Sequence, residues 1–258
     1  MAHPVTLSSD FGAYYPAAMR GVVAARGVNR IHDVTHELPA HDIGQAAFWL
    51  RELLPYYPPA VHCVVVDPGV GTDRSVIVLR AGGHALVGPD NGVLWPVATR
   101  LASDEPAAFT FDHVPPASHT FHGRDVFAPL AAAVANIGID RLNVLPTIAP
   151  ATAPTTYELP SMTRHDDTVV ADILAVDRFG NAITNVPGFV IEPMMGATVA
   201  IDGESVPVRP TYGAVEPGTA LVTIGSHGYV ELAANQSAGA DAFDVSVGER
   251  VSISIGPG

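Results

Sequence analysis

Asp67 follows three valines in VVVDPGVGTDR, residues 64–74, and Arg74 lies seven positions further on. Three consecutive valines read as the end of a buried strand, and ligands of open α/β sheets bind beyond the carboxyl ends of strands. The turn after Asp67 is glycine-rich, which lets a ligand approach the backbone closely. A carboxylate paired with a guanidinium can orient a water and take up its proton. A turn-capping aspartate with a surface arginine would give the same letters, and the stretch alone leaves both readings open. It is not a dinucleotide fingerprint, because Arg74 stands where the third glycine is required.

The same grammar recurs. TLSSDFG places Asp10 at the end of a first strand, where it can grip a ribose diol or cap the following helix. TFHGRDVFAP sets His122 and Gly123 ahead of another helix, and a histidine at a strand-to-helix turn can act as acid, base or donor. HDVTHE spaces His32 and His36 four apart on an extended segment, unlike the helical H-E-x-x-H of zinc proteases. Later, DRFGNAITNV alternates Asp177, Phe179 and Asn181 around Gly180: an acid, a flat ring and an amide. GSHGYVELAANQ adds Ser226, Tyr229 and Glu231.

The elements that must position these residues are legible from periodicity. VTLSSD reads as a strand, YPAAMRGVVAARG as a helix and NRIHDVTHE as extended chain. DIGQAAFWLRELLPYY predicts an amphipathic helix capped by Asp42, with Ile43, Ala46, Ala47, Leu50 and Leu54 on one face. VHCVVVD, SVIVLRAG and HALVGPD are three short strands, and DVFAPLAAAVANIG closes the region as a helix. Such alternation predicts an N-terminal α/β domain, residues 1–150, with a mainly parallel sheet. A Pro-, Thr- and Ala-rich stretch at about 145–162 reads as a linker. Beyond it, β-rich runs predict a smaller C-terminal β-barrel domain over 163–258, with Gly203 in IDGES as a hairpin signal.

Composition sets limits on function. With 258 residues, 48% hydrophobic and 15% charged, the chain is a compact globular protein. Its net charge of −13 argues against nucleic-acid binding, which wants a basic face. All 13 basic side chains are arginine, which excludes a Schiff-base lysine, a pyridoxal-phosphate lysine and a P-loop. Cys63 is the single cysteine, so no disulfide and no multi-cysteine zinc site can form, and it reads as a buried packing thiol. No apolar run approaches the roughly 20 residues of a membrane helix. MAHPVTLSSDFG has no basic stretch before an apolar one, so a cytoplasmic protein is expected.

Taken together, TLSSDFG, HDVTHE, VVVDPGVGTDRSV, GPDNGVL, TFHGRDVFAP and DRFGNAITNV, in that order, resemble the S-adenosylmethionine hydroxide adenosyltransferases, relatives of the fluorinase and chlorinase enzymes. The likeness spans residues 5–186, and SHGYVELAAN extends it to about 235. It implies an α/β domain joined to a β-barrel. It also implies a homotrimer whose active sites lie between one subunit's N-domain and its neighbour's C-domain.

The resemblance implies roles residue by residue. Asp67, Arg74 and His122 match the Asp-Arg-His triad of the family's hydrolases. Where Asp67 stands the halogenases look to have tyrosine, and the fluorinase has serine where this chain has Gly123. Asp10 would hold the ribose hydroxyls. Phe179 and Asn181 would hold adenine, with backbone near Gln236, while Asp177, Ser226 and Glu231 would bind the methionine end. The implied reaction is attack of water or hydroxide at C5′ of S-adenosyl-L-methionine, giving adenosine and L-methionine, with preference for the R-sulfonium epimer. Sulfonium makes methionine a neutral leaving group, so neither metal nor cofactor is expected. Two alternatives stand beside it: a chloride adenosyltransferase, disfavoured by a carboxylate that repels halide, and a non-catalytic sensor of S-adenosylmethionine or adenosine. The family's D-x-Y-V-G after the first motif is here YYPAA, Tyr14–Ala18, which changes the wall near Asp10.

Overall fold

A computed structural model describes residues 2–112 and 117–255. The chain divides into two units, Met1–Glu158 and Leu159–Gly258. It is a mixed α/β protein with one main sheet in each unit.

The first unit runs β1 (Val5–Ser9), α1 (Tyr15–Ala25), β2 (Ile31–Thr35), α2 (Ile43–Leu53), β3 (Val61–Val65), β4 (Val76–Ala81), β5 (His84–Pro89), α3 (Trp95–Leu101), β6 (Ala107–Phe111), α4 (Ala128–Ile137) and β7 (Ile148–Pro150). Its seven-stranded sheet has the order β2-β1-β3-β5-β4-β6-β7. Period-two alternation explains the two cores. Val61, Cys63 and Val65 of β3 face α1 and α4 with Met19, Val23 and Leu130. Val64 and Val66 face the opposite layer with Ala46 and Leu50 of α2 and Val97 of α3. Asp42 caps α2 as expected, accepting from the Gln45 amide at 2.9 Å.

The sheet is mixed rather than mainly parallel. β1–β2, β1–β3 and β3–β5 are parallel, whereas β4–β5, β4–β6 and β6–β7 are antiparallel. The reason is local. Gly82 and Gly83, at φ +54° and +82°, close β4 onto β5 in two residues, and so short a connection can only reverse the chain. Ile148–Pro150, inside the Pro- and Thr-rich stretch, forms the outer strand β7.

The second unit holds β8 (Thr163–His165), β9 (Thr168–Val176), β10 (Ala182–Pro187), β11 (Thr198–Ile201), β12 (Glu204–Pro207), β13 (Ala220–Ile224), β14 (Tyr229–Ala234), the short α5 (Gly239–Ala242) and β15 (Arg250–Ser254). Eight antiparallel strands run β12-β11-β15-β9-β10-β14-β13, with β8 on β9. A Val208–Val222 bridge draws the two ends together, so the sheet is nearly barrel-shaped around Val169, Val186, Val222 and Ile253. Asp202-Gly203 makes the β11–β12 hairpin with both φ positive, the geometry that favours Asp-Gly. Among the described residues, no helix is long and apolar enough to cross a membrane.

Candidate active site

Asp67 sits just past the end of β3, 9% exposed. The turn that follows folds back on itself: Val70 N donates to Asp67 O at 3.2 Å, and Thr72 N to Gly69 O at 3.1 Å. Gly71 makes that return possible. Its φ is +79°, and a Cβ there would lie 2.9 Å from the His119 carbonyl. The seven-residue spacing thus delivers Arg74 back to Asp67. Nε of Arg74 donates to both carboxylate oxygens, at 2.9 and 3.1 Å, and Nη2 donates to Oδ2. Nη2 also reaches Nδ1 of His122 at 2.9 Å.

This last contact fixes a tautomer. Guanidinium can only donate, so Nδ1 of His122 must accept, and the neutral imidazole carries its proton on Nε2. His122 is 5% exposed and precedes a π-helical turn, Gly123–Phe127, a helix irregularity frequent at functional sites. Arg74 stacks over the Phe127 ring at 5.0 Å, and its Nη1 is buried with no hydrogen-bond partner among the described residues. Gly123 is crowded by design of its neighbours: a Cβ would fall 2.9 Å from the Phe11 ring and 3.1 Å from Met19 Sδ.

Asp10 ends the neighbouring strand β1, whose Ser9 is in register with Val65. Its Oδ2 accepts from the His41 amide at 3.0 Å. Behind it, Ser9 Oγ contacts His36 Nδ1 at 2.8 Å, and Gly12 N donates to His36 O at 2.8 Å. His36 therefore braces the Asp10 loop. Burial, then the Arg20 charge, lower its pKa. His32, four residues earlier, is exposed.

In the second unit, Asp177 organises the DRFGN loop. Its Oδ1 accepts from the amides of Phe179 and Asn181 at 2.8 and 2.9 Å, and Oδ2 accepts from Asn181 Nδ2 at 3.0 Å. Gly180 has φ +84°, and a Cβ there would lie 2.5 Å from that of Ala238. The turn leaves the Phe179 ring 78% exposed. Phe179, Asn181, Tyr212 and the backbone run 234–238, which includes Gln236, line a cleft of ≈ 610 Å³. With Nδ2 of Asn181 turned to Asp177, its Oδ1 is the acceptor left for a ligand.

Glu231 lies deeper, 4% exposed, held by the Tyr212 hydroxyl at 2.7 Å and by His227 Nε2 at 2.9 Å. Since Tyr229 N donates to His227 Nδ1, the His227 proton sits on Nε2 and points to Glu231. Burial, then the Glu231 hydrogen bond and charge, push the Tyr212 phenol up. Ser226 is exposed in the β13–β14 turn and is not among the residues lining the cleft.

The first unit thus brings Asp67, Arg74 and His122 into one hydrogen-bonded set, with Asp10 at the adjacent strand end. The second gathers Asp177, Phe179, Asn181 and Gln236. Sequence reasoning missed Tyr212 and the His227–Glu231 contact. A lone tyrosine in PTYGAV, between Pro and Gly, was the available signal for the first. Among the described residues, no group of three or more His, Cys, Asp or Glu could hold a metal ion.

One unit is mixed α/β and holds a buried Asp-Arg-His set; the other is antiparallel β and carries an aromatic–amide cleft. Residues 5–142 match the SAM hydroxide adenosyltransferase N-terminal domain model and residues 171–252 the C-terminal domain model. The chain belongs to the SAM hydroxide adenosyltransferase family. It is 37% identical to an (R)-S-adenosyl-L-methionine hydrolase of Salinispora tropica, over 98% of each chain. A Thermus thermophilus protein of the same name is 36% identical, with 96% of this chain and 98% of that one covered. A crystal structure of an uncharacterized conserved protein from Thermotoga maritima superposes with a TM-score of 0.84 at 27% identity, covering 97% of this chain and 99% of that one.

Proposed function

We propose that this protein hydrolyses S-adenosyl-L-methionine, with preference for the R-sulfonium epimer, to adenosine and L-methionine. The observation that carries the reading is the Arg74 guanidinium held between Asp67 and Nδ1 of His122. In the proposed step, His122 Nε2–H donates to a water oxygen and Asp67 accepts a hydrogen of the same water. The water oxygen attacks C5′ while the C5′–S bond breaks and its electron pair passes to sulfur. Asp67 takes the released proton and returns it to solvent. Fixing the water in line with sulfur lowers the barrier by positioning, and the base adds about 10²–10⁴ in rate.

Arg74 positions both partners in one stroke, since it donates to the Asp67 carboxylate and to the lone pair on Nδ1 of His122. Methionine leaves as a neutral thioether, so no metal or organic cofactor is required. Asp10 is assigned the ribose hydroxyls. Phe179, Asn181 and the backbone at Gln236 are assigned adenine, and Asp177, Ser226 and Glu231 the methionine end. Family resemblance supports a homotrimer in which the first unit of one subunit meets the second unit of its neighbour.

The test is chromatography of the purified protein with each sulfonium epimer in chloride buffer. Adenosine from the R epimer is expected. No adenosine from either epimer, or 5′-chloroadenosine in its place, would overturn the reading.

A further inference from the structure

Thr6, His62 and His84 form a buried polar chain that the proposed reaction does not use. Thr6 Oγ1 lies 2.7 Å from His62 Nδ1, and His62 Nε2 lies 2.9 Å from His84 Nδ1. All three belong to the first unit, on the α2 side of the sheet, with Thr6 and His62 in register across β1 and β3. His62 is fully buried and His84 nearly so, at 6%. Buried polar atoms arranged in series transmit a donor–acceptor direction from one end to the other. Thr6, though only 1% exposed, is also among the residues lining a cavity.

That cavity, of ≈ 380 Å³, lies at the amino ends of β1 to β3. Thr6 is four residues before Asp10, so the cavity stands about 13 Å along β1 from the candidate active site, at about 3.3 Å per residue. Flat side chains wall it: Pro4, Tyr56, Tyr57 and Pro58, with Arg30 on the lining as well. Tyr56 is 83% exposed. Arg30 gives Nη2 to the Ala2 carbonyl at 2.9 Å and has no acidic partner among the described residues. In a chain of net charge −13, an arginine without a carboxylate beside an aromatic cavity is a site for an anion.

We propose that this cavity binds a small planar aromatic carboxylate, its ring between the tyrosine and proline side chains and its charge held by Arg30 and the Thr6 hydroxyl. The histidine pair makes the second donor available. If Thr6 donates to the ligand, its oxygen accepts from Nδ1–H of His62, and His62 Nε2 accepts from Nδ1–H of His84. Both rings then carry the proton on Nδ1. If Thr6 donates inward instead, both carry it on Nε2. The switch moves no net charge, in keeping with burial that holds the folded His62 pKa at about 3 and lowers that of His84. An anion selects the first arrangement.

The test uses the full chain and three probes at equal ionic strength: benzoate, benzamide and cyclohexanecarboxylate, followed by calorimetry and amide NMR. Saturable benzoate binding is expected, with both other probes weaker. Arg30→Ala, at an exposed position, should weaken benzoate about 10-fold, the usual worth of a hydrogen bond to a charged group. Thr6→Val should do likewise and Thr6→Ser should restore it; should Thr6→Val not fold, Arg30→Ala still decides. Long-range ¹H–¹⁵N correlation should find His62 and His84 both protonated on Nδ1 in the benzoate complex. Equal binding of benzoate and benzamide would reveal an apolar slot and overturn the proposal. So would unaltered affinity in Arg30→Ala, Nε2 protonation in the complex, or loss of benzoate binding in Asn181→Ala, which would place the probe in the second-unit cleft.

Discussion

Nε of Arg74 stands 2.9 and 3.1 Å from the two oxygens of Asp67, so a single N–H spans both ends of the carboxylate. Asp67→Asn keeps the shape but removes the proton acceptor. We expect kcat to fall by about 10²–10⁴, with substrate affinity nearly unchanged because other residues are assigned the binding. Arg74→Ala should also lower kcat, and the double variant should lose less than the product of the two single effects, since the pair acts as a unit. Single-turnover adenosine release with calorimetric affinity decides this. Near-normal turnover in Asp67→Asn would make the carboxylate structural.

Gly123→Ser is expected to impair hydrolysis without creating halide chemistry. Its Cβ would press on Phe11 at 2.9 Å and Phe121 at 3.2 Å, displacing rings that pack on the residue next to His122 in the chain. Meanwhile the Asp67 carboxylate stays in place to repel halide. Formation of 5′-chloroadenosine by this variant, measured in chloride, would contradict that account.

Phe179→Ala should separate binding from folding. The ring is 78% exposed, so unfolding free energy should change by only about 0.5 kcal/mol. Loss of base stacking should weaken adenosine binding by about 1–3 kcal/mol. Gly180→Ala should behave oppositely and destabilise the unit outright, because its positive φ and the 2.5 Å approach to Ala238 leave no room. Urea unfolding and adenosine titration of both variants provide the comparison.

If sites form between subunits, Asp67→Ala and Asn181→Ala proteins should each be nearly inactive alone. Mixing them under subunit exchange should restore part of the activity, since some sites then combine two intact halves. No recovery in verified mixed oligomers would place each site within one chain.

Acid should destabilise the fold through His62. Histidine in an unfolded chain titrates near 6.5, whereas the buried folded ring is held at about 3. Above about pH 6.5 neither form is charged and the contribution is fully present. Below it the unfolded chain takes up a proton that the folded one refuses, so stability falls by about 1.4 kcal/mol per pH unit until about pH 3. His84 shifts in the same direction. Urea unfolding from pH 7 to 4 should give a shallower pH slope for His62→Gln than for the parent, and equal slopes would refute it.

Much of the first unit could be read from alternation and punctuation. β1, β3 and α2 follow from apolar periods of two and 3.6, and the strand ends single out Asp10 and Asp67 by position alone. Sheet direction was less legible. A segment's period says nothing about its neighbour's orientation; only the two-residue Gly82-Gly83 turn dictates that β4 and β5 run oppositely. The Asp67–Arg74 pair was suggested by type and spacing, but its closeness depends on Gly71 accepting φ +79°. Tyr212 and Glu231 are 19 residues apart on different elements, and no local pattern encodes their 2.7 Å bond. Asp177 illustrates a further limit: an acid written into a motif can be occupied by its own loop, as the amides of Phe179 and Asn181 occupy it.

Cys63 lies at the middle of β3, wholly enclosed, with burial pushing its thiol up to about 12. It is also the chain's single sulfhydryl. A thiol so placed is inert to alkylating reagents while the first sheet is intact, because reaction needs an accessible thiolate. Labelling can therefore proceed only through opening of that sheet, and its rate becomes an intrinsic clock for excursions of the first unit.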